Sequence, residues 1–85
     1  MNIRLGDMVE SCQIDDRTIM HLLVLSIHAK CKGGAIVDVL AIVKLAFGIA
    51  EYRYNNYYIF YDSDYYDYKV LYNVFDLQEA NQHGK

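Results

Sequence analysis

The sequence predicts an α+β fold within one small domain, residues 1–85: two main helices, joined by a third short N-terminal one, packed under a C-terminal antiparallel tyrosine-rich β-hairpin. Three observations predict it. All nine tyrosines lie between Tyr52 and Tyr72, in a run whose aromatic residues alternate with polar ones at the period of a strand. Two strongly apolar stretches precede that run, and Gly33-Gly34 divides them. Asp62-Ser63-Asp64 interrupts the tyrosines with short side chains that hydrogen-bond local backbone and so favour a turn.

Taken in order, Asp7 with Glu10 has the spacing of a capping box, which predicts a short helix over Met8–Gln13. Asp15 starts the first main helix, with Asp16 in the first turn where the helix dipole favours negative charge. That helix runs to about Cys31. Arg17, His21, His28 and Lys32 then share a narrow arc, and Ile19, Met20, Leu22, Leu23 and Ile27 fill the rest. Gly33-Gly34 reads as its C-cap. The second main helix spans Ala35–Ala50 with a polar arc of only Asp38, Lys44 and the neighbouring Glu51, so it is expected at the centre of the domain.

The hairpin places Tyr61 opposite Tyr65, Phe60 opposite Tyr66, Tyr58 opposite Tyr68, and Tyr54 opposite Tyr72. One face then gathers Tyr52, Tyr54, Tyr58, Phe60, Tyr66, Tyr68, Val70 and Tyr72, and needs a cover that the helices supply. The other gathers Arg53, Tyr57, Ile59, Tyr61, Tyr65, Asp67, Lys69 and Leu71. Asn55-Asn56 is a competing turn signal within the first strand. Asp76–Lys85 is polar and reads as a loose tail or frayed helical turn.

Formal net charge is −3, and all of the imbalance falls after Ala50. Mild acidity of this kind is unfavourable for gripping phosphates. Met1 opens onto a polar, charged stretch with no apolar core of a leader, and no apolar run reaches the ~18 residues of a membrane span. The expected location is cytoplasmic, with Cys12 and Cys31 as reduced thiols.

Chemistry is sparse. Cys12, His21, His28 and Cys31 are metal-ligating types, yet they form no C-x2-C or H-x3-H pair, so no metal and no cofactor are expected. Ser11, Ser26 and Ser63 lie in no nucleophile elbow, and Gly33-Gly34 lacks the spacing and lysine of a phosphate loop. These absences argue against an enzyme.

The expected function is a small protein-interaction or regulatory module that binds another protein, in the manner of a small viral or mobile-element inhibitor. Its candidate surface is the mixed face of Arg53, Tyr57, Ile59, Tyr61, Tyr65, Asp67, Lys69 and Leu71, because tyrosine and arginine are enriched at binding hot spots. The apolar helices offer a route to a homodimer. Two alternatives follow from the same element order. Helix, helix, helix, hairpin is the order of a winged-helix nucleic-acid-binding regulator, although Lys44 alone is a poor recognition surface and Asp62-Asp64 a poor wing. Two adjacent apolar helices would also suit a membrane-associated helical hairpin.

Overall fold

A computed structural model describes residues 1–83. Its core is a single antiparallel sheet, and the two expected main helices are strands. The elements are β1 (Asp7–Gln13), β2 (Ile19–Cys31), β3 (Gly34–Leu45), β4 (Gly48–Phe60), β5 (Tyr66–Asn73) and one helix, α1 (Val74–His83). The sheet order is β4-β3-β2-β1-β5. Strands β1 to β4 form a meander, and β5 returns to the far side of β1. Of the tail expected over residues 76–85, the part up to His83 belongs to α1, and Gly84 and Lys85 lie outside the described residues.

The α+β expectation fails because of what each apolar stretch is made of. Residues 19–45 carry Ile19, Val24, Ile27, Ile36, Val37, Val39, Ile42 and Val43, β-branched side chains that lose rotamer freedom in a helix and pack well on a pleated surface. Pairing of Leu22 with Ala41 and Val24 with Val39 puts these four on one face, and all are buried. A bulge between Val24 and Ser26 then shifts the phase, so that Ile27 opposite Val37 joins the same face. Inward positions at 22, 24 and 27 no longer keep the strict alternation of a strand. Gly33-Gly34 is not a helix cap but part of the tight connection between Cys31 and Gly34, which face each other across the hairpin. The Met8–Gln13 segment is likewise extended, and Asp7, the expected cap, is buried against Asn73.

The tyrosine segment does form strands, yet not with each other. β4 pairs only with β3 and β5 only with β1, so they occupy opposite edges of the sheet. The Tyr61–Tyr65 connection is a link between edges and not a hairpin turn. Ser63 shapes it: its hydroxyl accepts the N–H groups of Tyr65 (3.1 Å) and Tyr66 (3.3 Å). The predicted face of even-numbered rings is broken too, because Asn55-Asn56 is a bulge opposite Asp38, with Asn56 at φ 55°. Before the bulge Tyr52 and Tyr54 face the core side. After it Tyr57 and Ile59 do, and Tyr58 and Phe60 turn outward.

The sheet curls on itself into a half-closed barrel. Val9, Leu22, Val24, Val37, Val39, Ala41 and Ile59 form the buried interior, with Tyr57 and Tyr61 from the β4 side and Tyr68 and Val70 from β5 packed against it. Ile3, fully buried, plugs it from the N-terminal arm. That arm is tied down where the helix begins. Asn73 donates to Asp7 (2.8 Å) and to the Leu5 carbonyl (2.9 Å), while its own oxygen accepts the N–H groups of Phe75 and Asp76 as an N-cap. Gly6, at φ 83°, passes so close to the Phe75 ring that a Cβ would sit 2.6 Å from it.

These elements withdraw three of the sequence expectations. Among the described residues the apolar helices that were to form a homodimer are absent, as are the helical membrane hairpin and the recognition helix of a winged-helix regulator. Among the described residues no helix is long and apolar enough to cross a membrane.

Candidate functional site

The gap between the two sheet edges is an aromatic cleft. Tyr54, Tyr57, Tyr58 and Phe60 line it from β4, and Tyr65, Tyr66 and Tyr68 from the opposite side, around an open volume of about 450 Å³. Three elements create this. The bulge at Asn55-Asn56 rotates successive tyrosines of β4 to both sides of its free edge. The link through Ser63 carries Tyr65 across the gap. Pairing of β5 with β1 then holds Tyr66 opposite Gln13 and Tyr68 opposite Ser11.

Within the cleft the rings support each other. Tyr58 stacks on Phe60 with planes 4° apart and centroids at 5.9 Å, and Tyr54–Tyr57 and Tyr66–Tyr68 are tilted pairs at 6.0 Å. The deeper rings belong to Tyr57 and Tyr68, whose phenols interact across the gap. Burial raises the pKa of both. Tyr57 is raised further by the nearby Tyr66 and Tyr54, and Tyr68 by its neighbour Tyr57. Ser11 lies beneath them, buried, its hydroxyl without a hydrogen-bond partner among the described residues. Among the described residues no charged side chain lines the cleft, and Asp62 and Asp64, both exposed, flank Ser63 in the linking loop.

The eight residues expected to share one binding face do not share one. Tyr57 and Tyr65 meet in the cleft. Ile59 is fully buried in the barrel, and Tyr61 is half-buried, its hydroxyl accepting the Ile3 N–H at 3.4 Å. Arg53 is exposed on the outer surface of β4 opposite Leu40. Asp67 and Lys69 lie on the outer surface of β5, opposite Cys12 and Glu10, and Leu71 sits at the β5 bulge. Sequence reasoning placed Tyr54, Tyr58, Phe60, Tyr66 and Tyr68 on a covered face. The signal that relocates two of them, Tyr58 and Phe60, was Asn55-Asn56, a pair suited to a bulge that tolerates positive φ.

A second polar cluster lies on the outer face. Asp38 accepts the Ser26 hydroxyl (2.7 Å) and the Asn56 backbone N–H (3.0 Å), and pairs with His28 Nε2 (2.8 Å). Serine, histidine and aspartate suggest nucleophilic chemistry, but here both Ser26 and His28 turn to the carboxylate and not to each other. The relay that activates a serine needs the histidine between them. The cluster instead joins the β2 bulge to the β4 bulge through β3. Elsewhere His21 faces Glu10 at 3.6 Å, and the Cys31 thiol points to the Gly34 carbonyl at 3.3 Å. Among the described residues no three histidine, cysteine or acidic side chains gather as a metal site would require.

No protein-family model, curated protein or solved structure matches this chain. The cleft's own chemistry therefore carries the functional argument.

Proposed function

We propose that the protein is a non-enzymatic interaction module that binds another protein, and that its cleft takes an extended, proline-containing, positively charged segment of that partner. The observation that carries this reading is the cleft lining of seven aromatic rings, beside a linking loop that carries exposed Asp62 and Asp64. Aromatic grooves favour proline-rich segments, which arrive already extended and lose little entropy on docking. Lysine or arginine in the segment gains from ring faces and from the Asp62-Asp64 loop. Nucleic acid is the poorer fit, since bases would find stacking surfaces but their phosphates no lining cation.

The test is an amide NMR titration of the full chain with three probes: a repeating Pro-Pro-Lys peptide, a repeating Pro-Pro-Glu peptide and single-stranded oligothymidine. The lysine peptide is expected to shift the signals of Tyr57, Tyr58, Tyr65, Tyr66 and Tyr68. Tyr58→Ala and Tyr66→Ala, both at accessible rings, should each weaken it about tenfold, the loss of one good aromatic contact. Shifts produced only by the oligonucleotide, or equally by the acidic peptide, would overturn the proposal.

A further inference from the structure

The two edges of the sheet are treated differently. β5 is short and carries Asp67 and Lys69 on its outer surface, a bulge at Leu71 and a helix directly after it, all features that keep an edge from recruiting another strand. The first half of β4 has no bulge and no helix beside it, although it too carries two charges, Glu51 and Arg53. From Gly48 to Tyr54 it is regular, free of proline and glycine after its first residue, and unpaired on its outer side. Its neighbours in sequence are unusually exposed for apolar side chains: Phe47 is 92% and Ile49 71% accessible, and Tyr52 is 50%.

From this we infer that the β4 edge pairs with the same edge of a second copy, antiparallel about a two-fold axis at Tyr52, to give one continuous sheet across a homodimer. This interface is separate from the cleft, and the backbone of the edge restricts the register it can take. Leu45 faces Gly48 across a two-residue loop, and the closing pair of such a loop is hydrogen-bonded. Alternate residues from Gly48 therefore direct their N–H and C=O groups to β3, and Ile49, Glu51 and Arg53 direct theirs outward. A symmetric antiparallel ladder must pair these outward residues among themselves.

Charge then selects the axis. Centred on Glu51 or on Arg53, the ladder sets two like charges directly opposite, which destabilises a pair. Centred on Ala50, it sets Glu51 against Ile49 of the partner subunit and gives Arg53 no carboxylate. Centred on Tyr52, it sets Glu51 against Arg53 of the partner subunit and repeats that contact by symmetry. The same register stacks Tyr52 beside the partner's Tyr52 as a close, non-hydrogen-bonded pair and sets Ala50 against the partner's Tyr54. It also carries the projecting Phe47 towards the far half of the partner's strand, where the exposed ring gains a neighbour.

Sedimentation of the full chain from about 1 µM to about 1 mM tests the inference. A concentration-dependent dimer is expected. Glu51→Arg and Arg53→Glu should each raise its Kd about tenfold or more, and the double exchange should restore it. Both positions are exposed, so circular dichroism should stay unchanged. In a Cys12→Ser, Cys31→Ser background, Tyr52→Cys should oxidise to a disulfide-linked dimer and Ile49→Cys should not, because only position 52 faces itself. A monomer throughout the range, single exchanges without effect, or a double exchange no better than the singles would each overturn it. So would equal cross-linking at positions 49 and 52.

Discussion

Asp38 holds together two irregularities that would otherwise be costly. The bulge in β2 and the bulge in β4 both fall beside it, and its two oxygens reach Ser26, His28 and the Asn56 backbone. Those bonds favour the ionised carboxylate: the Ser26 hydroxyl first, then the Asn56 N–H, then His28, together lowering its pKa to about 2. A group depressed in this way contributes stability above its unfolded value of about 3.9, and the contribution disappears as pH falls through about 2. Asp38→Asn should therefore melt lower than the parent near neutral pH, with the gap closing between about pH 4 and pH 2. Thermal melts across that range would show it. A gap that stays constant with pH would mean the carboxylate charge is not what pins the bulges.

The helix α1 depends on a single cap that also binds elsewhere. Asn73 caps the first turn and, through its amide nitrogen, satisfies buried Asp7. Asn73→Ala should cost about 2–4 kcal/mol, a lost cap plus a buried carboxylate short of a partner, measurable by denaturant unfolding. Asn73→Asp, which keeps the cap oxygen but sets a second carboxylate against Asp7, should not recover the stability. How legible the elements were follows from their irregularities. The extended character of the tyrosine segment and the break at Asp62-Ser63-Asp64 could be read from alternation and turn chemistry. The partners of those strands could not, because alternation says which face a residue takes and nothing about which strand lies beside it. β2 and β3 were hidden for another reason. Leu23, Leu25, Leu40 and Ile42 keep the outer face apolar as well, and the Val24–Ser26 bulge changes phase midway. A strand apolar on both sides whose phase slips twice, between Val24 and Ser26 and between Ile27 and Ala29, has no clean period of two. Only its β-branched content separates it from a buried helix. The cleft was concealed by the same kind of event at Asn55-Asn56.

At the level of the whole molecule, a half-closed barrel of this size has one small interior, and the N-terminal arm is part of its closure. Ile3 is fully buried, the neighbouring Arg4 N–H donates to Asp7 at 2.8 Å, and its guanidinium reaches Asp76 at 2.8 Å. Ile3→Ala should cost about 2–5 kcal/mol, the usual range for truncating a buried aliphatic side chain. Its effect should spread to the far edge as faster amide exchange at Ile59 and Tyr61. Arg4→Ala, by contrast, removes an ion pair between accessible groups, screened by solvent, and should leave the unfolding midpoint almost where it was. Comparable losses for the two would indicate that the arm is anchored by charge and not by its plug.

The partnership of β1 with β5 also sets a timetable. Strands β1 to β4 can zip up through successive short turns, each soon after its residues are made. β1 keeps one flank vacant until Tyr66–Asn73 arrives from the other end of the chain. Closing so long a loop is slow compared with forming local turns. Until it closes, a chain still being synthesised shows two unpartnered rims, with Val9 and Ser11 lacking their last neighbours. The aromatic cleft comes into being only at that final step, because Tyr66 and Tyr68 reach its far wall only when β5 has docked on β1.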